Sequence, residues 1–403
     1  MTAVVERAPT ATKTRAPASS RTPLGAVRRF GELSAQDLQD WRGLEAAQPN
    51  ANPFLTPTWV GAWYDNRVAP DDQAVVLVRT GGEGPLVGVA PMYRSEVRVG
   101  PVRLAQRLIP VGAGVGSALE LPGHLSAPGV ARDVNRAIIA ATAADRSDWA
   151  NLVLAPEQGW LEPEHLMEAG GASSFWQHLR PRACVVLRLG ATWDETAAGF
   201  KRNLKEGLRR SRNRIAKLES HRLRHRTGDD LDEASVLRLL DLHRARADKA
   251  GGGIEHGDAF ARPLERSLVL AALPRLARED RASIFELEVA GRVVASQLVL
   301  HGPRSSYIHS SGFAAEAWDL GPVTYLVGAA VRHAVERGDT LVNYSPGPRV
   351  GKLRWSEDLW VSNEFAFGVG TKAQTRRYNL MRSAAALDPS IVGLNRMEPS
   401  ATA

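Results

Sequence analysis

The stretch from Ile284 to Lys352 limits the chain's fold more than any other. Three apolar runs rich in β-branched residues follow one another. Ala290-Gly291 joins the first two as a tight hairpin, and His301-Gly302-Pro303-Arg304 joins the second and third. A helix then starts at Pro322, where a missing N–H costs little. Leu326, Ala329, Ala330, His333 and Ala334 recur along it at helical spacing, and Gly338 closes it. Thr340–Tyr344 reads as one more strand, followed by the Pro346-Gly347 turn. A strand that feeds a helix N-terminus presents free backbone N–H groups, a ready phosphate site. The strand after the helix runs parallel to the one before it, and their divergence leaves a cleft.

The rest of the chain sets the context. It has 403 residues, 44% hydrophobic and 24% charged, which favours two cores over one. The net charge of +7 fits either an arginine-rich background or a polyanionic partner. A single cysteine, Cys184, excludes a disulfide framework and a cysteine-based metal site. The histidines are scattered without paired carboxylates, so no metal is expected. No apolar run reaches transmembrane length and the N-terminus lacks a secretory apolar core, so the expected location is cytoplasmic.

In chain order, residues 1–25 read as a disordered tail rich in Ala, Thr, Pro and Arg. Residues 26–182 form a first domain, 183–385 a second, and 386–403 a further tail. Ser34 caps a helix over Ala35–Ala47. In Asn52-Pro53-Phe54-Leu55-Thr56-Pro57, Thr56 is an N-cap with Pro57 at the first helical position, and Trp59, Ala62 and Trp63 face a core. Gly81-Gly82-Glu83-Gly84-Pro85 joins two strands. The Gly-rich loop Val111–Gly129 lacks the Lys-Ser/Thr of a P-loop and reads as a substrate-side loop. The helical segment from Asp194 continues through a strongly basic run, Lys201–Lys217, in which Glu206 is almost the only acid. That face either holds an anion or is simply solvated. Arg246, within Leu242-His243-Arg244-Ala245-Arg246, has the fork geometry of an anion clamp. The loop Gly251–Gly257, with His256, has the composition of a flexible gate.

These features together resemble the GNAT-like acyltransferases of the CelD (cellulose-biosynthesis) type, relatives of the Fem aminoacyltransferases. The resemblance rests on Pro53-Phe54 with the Thr56-Pro57 helix start, the basic helix, and the Leu242-His243-x-x-Arg246 motif. It also rests on Pro322, Thr324, Leu326, Gly347 and Lys352. Val323 stands where the family usually has Gly, Asn343 where it commonly has Asp, and Gly351 where it usually has Tyr. The resemblance implies an α/β (α+β) fold of two tandem GNAT-like domains, each a twisted mixed sheet flanked by helices. It implies acetyl-CoA or another acyl-CoA as donor, and a small-molecule or glycan acceptor such as an envelope polysaccharide precursor or a specialised metabolite.

On that reading Ser310, Ser311, Gly312 and Phe313 line the donor. Gly321, Pro322, Val323 and Thr324 take its pyrophosphate. His309 is the candidate base, on a strand whose alternation points it either into the cleft or to the far side of the sheet. Tyr344 protonates the departing thiolate, with Asn343 beside it. Arg246 and Lys352 bind substrate. Two other readings stand beside this one. A Fem-like transferase would take aminoacyl-tRNA, so tRNA is a possible partner while DNA is not. A degenerate GNAT-like scaffold would bind without catalysis. The acceptor and the oligomeric state stay open.

Overall fold

A computed structural model describes residues 22–99, 102–113, 121–161, 173–248, 257–370 and 372–387. His256 with most of the Gly251–Gly257 loop, Gly114–Glu120 of the Gly-rich loop, and nearly all of both expected tails lie outside the described residues. The N-terminal tail ends earlier than its composition suggests. β1 (Pro23–Arg28) pairs antiparallel with β2 (Gln73–Thr80) along its whole length.

The N-terminal half continues with β3 (Leu86–Val99), β4 (Val102–Pro110), the short β5 (Leu125–Ser126) and β6 (Trp149–Leu154). β1 to β4 form an antiparallel meander, and β4 then pairs parallel with β6. The C-terminal half repeats this order. β8 (His221–Arg226), β9 (Ala282–Val289), β10 (Arg292–His301) and β11 (Ser305–Phe313) are antiparallel, and β11 pairs parallel with β12 (Leu341–Pro346). The tandem arrangement of two mixed sheets is therefore present.

The halves are fused by two strands at the centre of the sheet. β7 (Ser173–Arg188) follows β6 in sequence but pairs with β12 of the other half. β13 (Leu359–Gly370), the last strand, pairs with β6 of the first half. β7 and β13 then pair with each other along nearly their whole length. One continuous 13-stranded sheet results.

Helices cover both faces. On the front lie α1 (Ala35–Ala46), α2 (Pro57–Arg67), α6 (Glu233–Ala247), α7 (Pro263–Arg278) and α10 (Lys372–Leu387). On the back lie α3 (Ala131–Ala143), α4 (Trp193–Ala198), α5 (Arg202–Ala216) and α8 (Pro322–Glu336), while α9 (Val350–Leu353) is a single turn after β12. The expected caps are in place. Ser34 Oγ accepts from the Asp37 N–H at 3.1 Å, and Thr56 Oγ1 from the Trp59 N–H at 3.2 Å. The segment from Asp194 is two helices rather than one, because Gly199 ends α4 and the chain restarts at Lys201.

One front core runs under helices of both halves, from Trp41, Phe54, Trp59 and Trp63 to Leu240, Leu268 and Leu273. A buried ion pair, Arg67 with Glu265, ties α2 to α7. Thr58 Oγ1 donates to Glu279 at 2.6 Å, and Arg281 pairs with Glu45 at 3.1 Å. Among the described residues no helix is long and apolar enough to cross a membrane.

Candidate active site

Parallel pairing between β11 and β12 covers only Ser305–Tyr307 against Leu341–Asn343. Beyond that the strands separate. Two local distortions cause it. In β11, His309 and Ser310 together face the single residue Leu298 of β10, a β-bulge that bends the strand. The Gln297 amide fills the interrupted ladder by donating to Leu298 O at 2.8 Å and Ser310 O at 3.2 Å. In β12, Ser345 adopts a left-handed φ of 62°, a costly conformation for a non-glycine residue. It is held there by its N–H donating to Asn343 Oδ1 at 2.8 Å and by its hydroxyl donating to Ile308 O at 2.8 Å. The Ser-Pro-Gly sequence marked a turn, but the bond back to β11 could not be read from it.

The separated strands open beside the start of α8. Gly321, at φ 64°, is its N-cap and supplies no side chain, and Pro322 has no N–H to offer. The Val323 and Thr324 N–H groups begin the helix without intrahelical partners. The basic helix α5 lies directly against this end. A methyl group added at Gly321 would lie 3.4 Å from Ser211 Cβ, and one added at Gly207 would lie 4.0 Å from Thr324. Arg214 donates to Asp319 O just before the helix. The two candidate anion-binding features of the sequence, the helix start and the basic run, are thus one place in the fold. Val323 packs its side chain, half-buried, on the back core.

Arg354 reaches the same turn and donates to Thr324 Oγ1 at 2.5 Å. Its Nε is buried without a hydrogen-bond partner, and so is the hydroxyl of Tyr344 beside it. Orphaned polar atoms in a protein interior are costly, and a bound polar group would satisfy them. Burial pushes the Tyr344 phenol well above its ordinary range, so it keeps its proton at neutral pH.

The three residues expected to act on the reacting groups divide between the two faces. Tyr344 points to the back, onto Trp355. Asn343 and His309 point to the front. The open alternative for His309 therefore resolves to the face shared with the first half. Its ring lies 5.5 Å from that of Phe54, and Nδ1 sits 2.9 Å from Ser310 Oγ.

Arg246 donates to Ser311 Oγ at 2.6 Å and Ser311 O at 3.3 Å, at the unpaired edge of β11, and its guanidinium lies over the Phe313 ring. His243 Nδ1 lies 3.0 Å from the same carbonyl. Gly312 is required here, because a Cβ would lie 2.3 Å from the α6 backbone. Lys352 donates to Ser345 O at 3.0 Å and Pro346 O at 2.6 Å, leaving one of its three N–H groups for a ligand. Its ammonium is lowered to about 8, mainly by burial, with Cys184 pulling it up and Arg349 adding to the fall.

On the front face a cavity of about 60 Å³ lies between the halves. Cys184, Tyr307, Asn343, Trp360 and Ser362 line it, with Asn52, Leu55, Leu121, His124, Glu157 and Gln158 among the residues of the first half. Burial raises the Cys184 thiol to about 11, so it is an unreactive part of that lining. Among the described residues no group of three or more His, Cys, Asp and Glu could hold a metal ion.

In the first half, the segment before β5, α3 and the turn after β6 are joined by buried polar side chains. His124 Nε2 meets Asn135 Oδ1 at 2.9 Å, Asn135 donates to Gln158 O at 3.0 Å, and Gln158 returns to His124 O at 2.8 Å. Burial drives the His124 imidazole down to about 4, from an ordinary 6.5. Between those values the unfolded chain holds a proton that the folded chain excludes. The stability His124 contributes is complete above pH 6.5 and is lost as pH falls towards 4, on the order of 3 kcal/mol. Urea titrations from pH 4 to 8 should show this loss, and His124→Gln should flatten that part of the profile. An unchanged profile would remove His124 from the account.

Comparison with functionally curated proteins found no match. Among solved structures, the chain is similar to FemX, at 11% identity and a TM-score of 0.58, over 85% of this chain and 98% of that one. Fainter likenesses are to the C-terminal domain of a putative lysylphosphatidylglycerol synthetase from Agrobacterium fabrum (12% identity, TM-score 0.48, 87% and 96% covered) and to a tandem GNAT protein of the clavulanic acid biosynthesis pathway (13%, 0.40, 85% and 98%). Residues 202–352, from the first residue of α5 to Lys352, match the family model of the acetyltransferase (GNAT) domain, so the second half carries a GNAT acetyltransferase-like domain.

Proposed function

We propose that the protein transfers an acyl group from acyl-CoA to an amine or hydroxyl of a small-molecule or glycan acceptor. The observation that carries this is the loss of pairing between β11 and β12 after Tyr307 and Asn343, beside an uncapped helix N-terminus. The Val323 and Thr324 N–H groups, α5 and Arg354 would take the pyrophosphate. The pantetheine arm would follow the open edge of β11 along Ser310–Phe313 towards the gap.

The acceptor would enter from the front, between the halves, where His309 accepts its proton. The acceptor's N or O forms the bond to the thioester carbonyl carbon as the C–S bond breaks. The sulfur leaves with the electron pair, and Tyr344, still protonated, supplies a proton from the back. Asn343 is a positioning residue on this reading, holding Ser345 in its left-handed turn. Arg246 and Lys352 would hold a carboxylate or phosphate of the substrate at the rim.

A second reading, a Fem-like aminoacyl-tRNA-dependent transferase, is favoured by one observation. Arg202, Arg209 and Arg212 of α5 point to solvent beside the donor site, an arrangement that suits a nucleic-acid backbone.

Calorimetry separates the readings. Acyl-CoA should bind at one molecule per chain, because the acetyltransferase-domain match lies in the second half alone. Two equivalents would point to a second donor site in the first half. Binding of charged tRNA without CoA would favour the second reading. Binding of neither would leave a scaffold.

A further inference from the structure

The cavity on the front face carries an acid and no base. Among the described residues that line it there is no Lys or Arg, in a chain with 51 of these against 44 Asp and Glu. His124, the histidine of the lining, is kept neutral by burial, which drives its imidazole down to about 4. Glu157 supplies a carboxylate from the 3₁₀ turn Pro156–Gln158 that follows β6. No cation acts on that carboxylate. Burial raises it above its ordinary range, opposed only by its own backbone, although part of the residue is exposed. A cation beside it would bring it back down.

The rest of the lining points the same way. Burial raises the Tyr307 phenol, and Glu157 is among the charges that add to the rise, so the carboxylate acts on the second half's side of the cavity. Asn50 has a buried Oδ1 without a hydrogen-bond partner. Such an orphaned acceptor is costly and calls for a donor. Tyr307 and Trp360 add two aromatic rings, whose faces attract cations. The space of about 60 Å³ exceeds the roughly 10–15 Å³ that one water needs, so a small charged head fits. An uncompensated carboxylate, an orphaned amide oxygen and aromatic rings suit an ammonium group and disfavour an anion.

Tyr307 precedes His309 by two residues on β11. A strand rise of about 3.3 Å per residue places the candidate base roughly 7 Å from the tyrosine's position. A cation held in the cavity is therefore not the atom that gives its proton to His309. The two are separated by roughly five single bonds of about 1.5 Å.

Resting on the acyl-CoA reading, we propose that the acceptor carries two groups: a nucleophile that reaches His309, and an ammonium about five bonds away that Glu157 and Asn50 hold in the cavity. The first half thereby selects the acceptor, while the second half binds the donor.

The test uses full-length protein and three probes of equal length: 1,4-diaminobutane, butylamine and 1,4-butanediol. By calorimetry the two amines should bind and the diol should not, and with acyl-CoA present only the diamine should be acylated. Glu157→Gln should weaken both amines by a similar factor, roughly 3- to 30-fold, and Glu157→Asp should restore part of the loss. Acyl-CoA affinity, measured on the same variants, should not move. Equal binding of diol and diamine would overturn the ammonium site, and so would amine affinity unchanged in Glu157→Gln. If the amines bind through Glu157 but acyl-CoA does not bind, the cavity assignment stands and the acyl-CoA reading fails. If acyl-CoA binds and the amines do not, the donor reading stands and the ammonium site fails.

Discussion

A chain that stops at Asp358 should not fold, although it keeps every residue of the acetyltransferase-like match and every proposed site residue. β13 is the reason. It is the last strand in sequence and lies in the middle of the sheet, paired with β6 on one side and β7 on the other. Phe365 and Phe367 are completely buried on its back, against Leu152, Leu154 and Ile138 of the first half. Glu364 on its front is buried among Arg180, Arg182 and Asn151. Losing one buried Phe costs about 3–5 kcal/mol, against a whole-domain stability of about 5–15 kcal/mol. Losing the strand also strips two neighbours of their ladder partners and leaves Arg182 without its carboxylate. Deletion of residues 359–403 should give an insoluble chain, or one without a cooperative thermal transition by circular dichroism. A soluble truncated protein that melts near the full-length temperature would show that the halves are independent. Ending the chain after Gly370 is the control, since it spares β13.

That exchange of strands was invisible in the sequence, and the reason is physical. Hairpins, caps and helix starts are local. Ala290-Gly291, Ser34, Thr56-Pro57 and Pro322 each act within a few residues, and each appears where its chemistry places it. The partner of β7 depends on register across more than 150 residues, and an apolar run around Cys184 suits either side of the sheet.

The site divides along the same line. Pro322 and the basic run were readable separately, but their contact through Ser211 and Gly321 is tertiary. The bulge at His309–Ser310 is bridged by Gln297, an ordinary strand residue by sequence whose amide donates to backbone carbonyls. Arg354 carried only the composition of a surface arginine, and Phe54 entered only through the Pro53-Phe54 motif of the resemblance. Val323 departs from the family's usual Gly, and its side chain rests on the back core.

His309→Ala should lower kcat by about 100- to 10,000-fold, the range of a positioned base, while leaving acyl-CoA affinity within a factor of about two. The proposed role rests on the bulge. It places His309 on the front face, where the first half supplies Phe54 at 5.5 Å, and Ser310 Oγ at 2.9 Å from Nδ1 fixes the ring's orientation. Tyr307, two residues earlier on the same face, lines the cavity between the halves. An acceptor seated there approaches the thioester from the side opposite α8, so the base and the donor's phosphates do not compete for space. Three measurements separate catalysis from packing. His309→Gln keeps a polar side chain against Phe54 and should be as inactive as the alanine variant. Added imidazole should restore part of the alanine variant's rate, since the ring's space is vacated. Phe54→Leu leaves the imidazole in place but loosens it, and should cost less than either. If His309→Ala turns over within threefold of wild type and imidazole has no effect, the ring only packs against Phe54. Lys352, with a depressed pKa near 8 on the same face, would then be the group to test for proton removal.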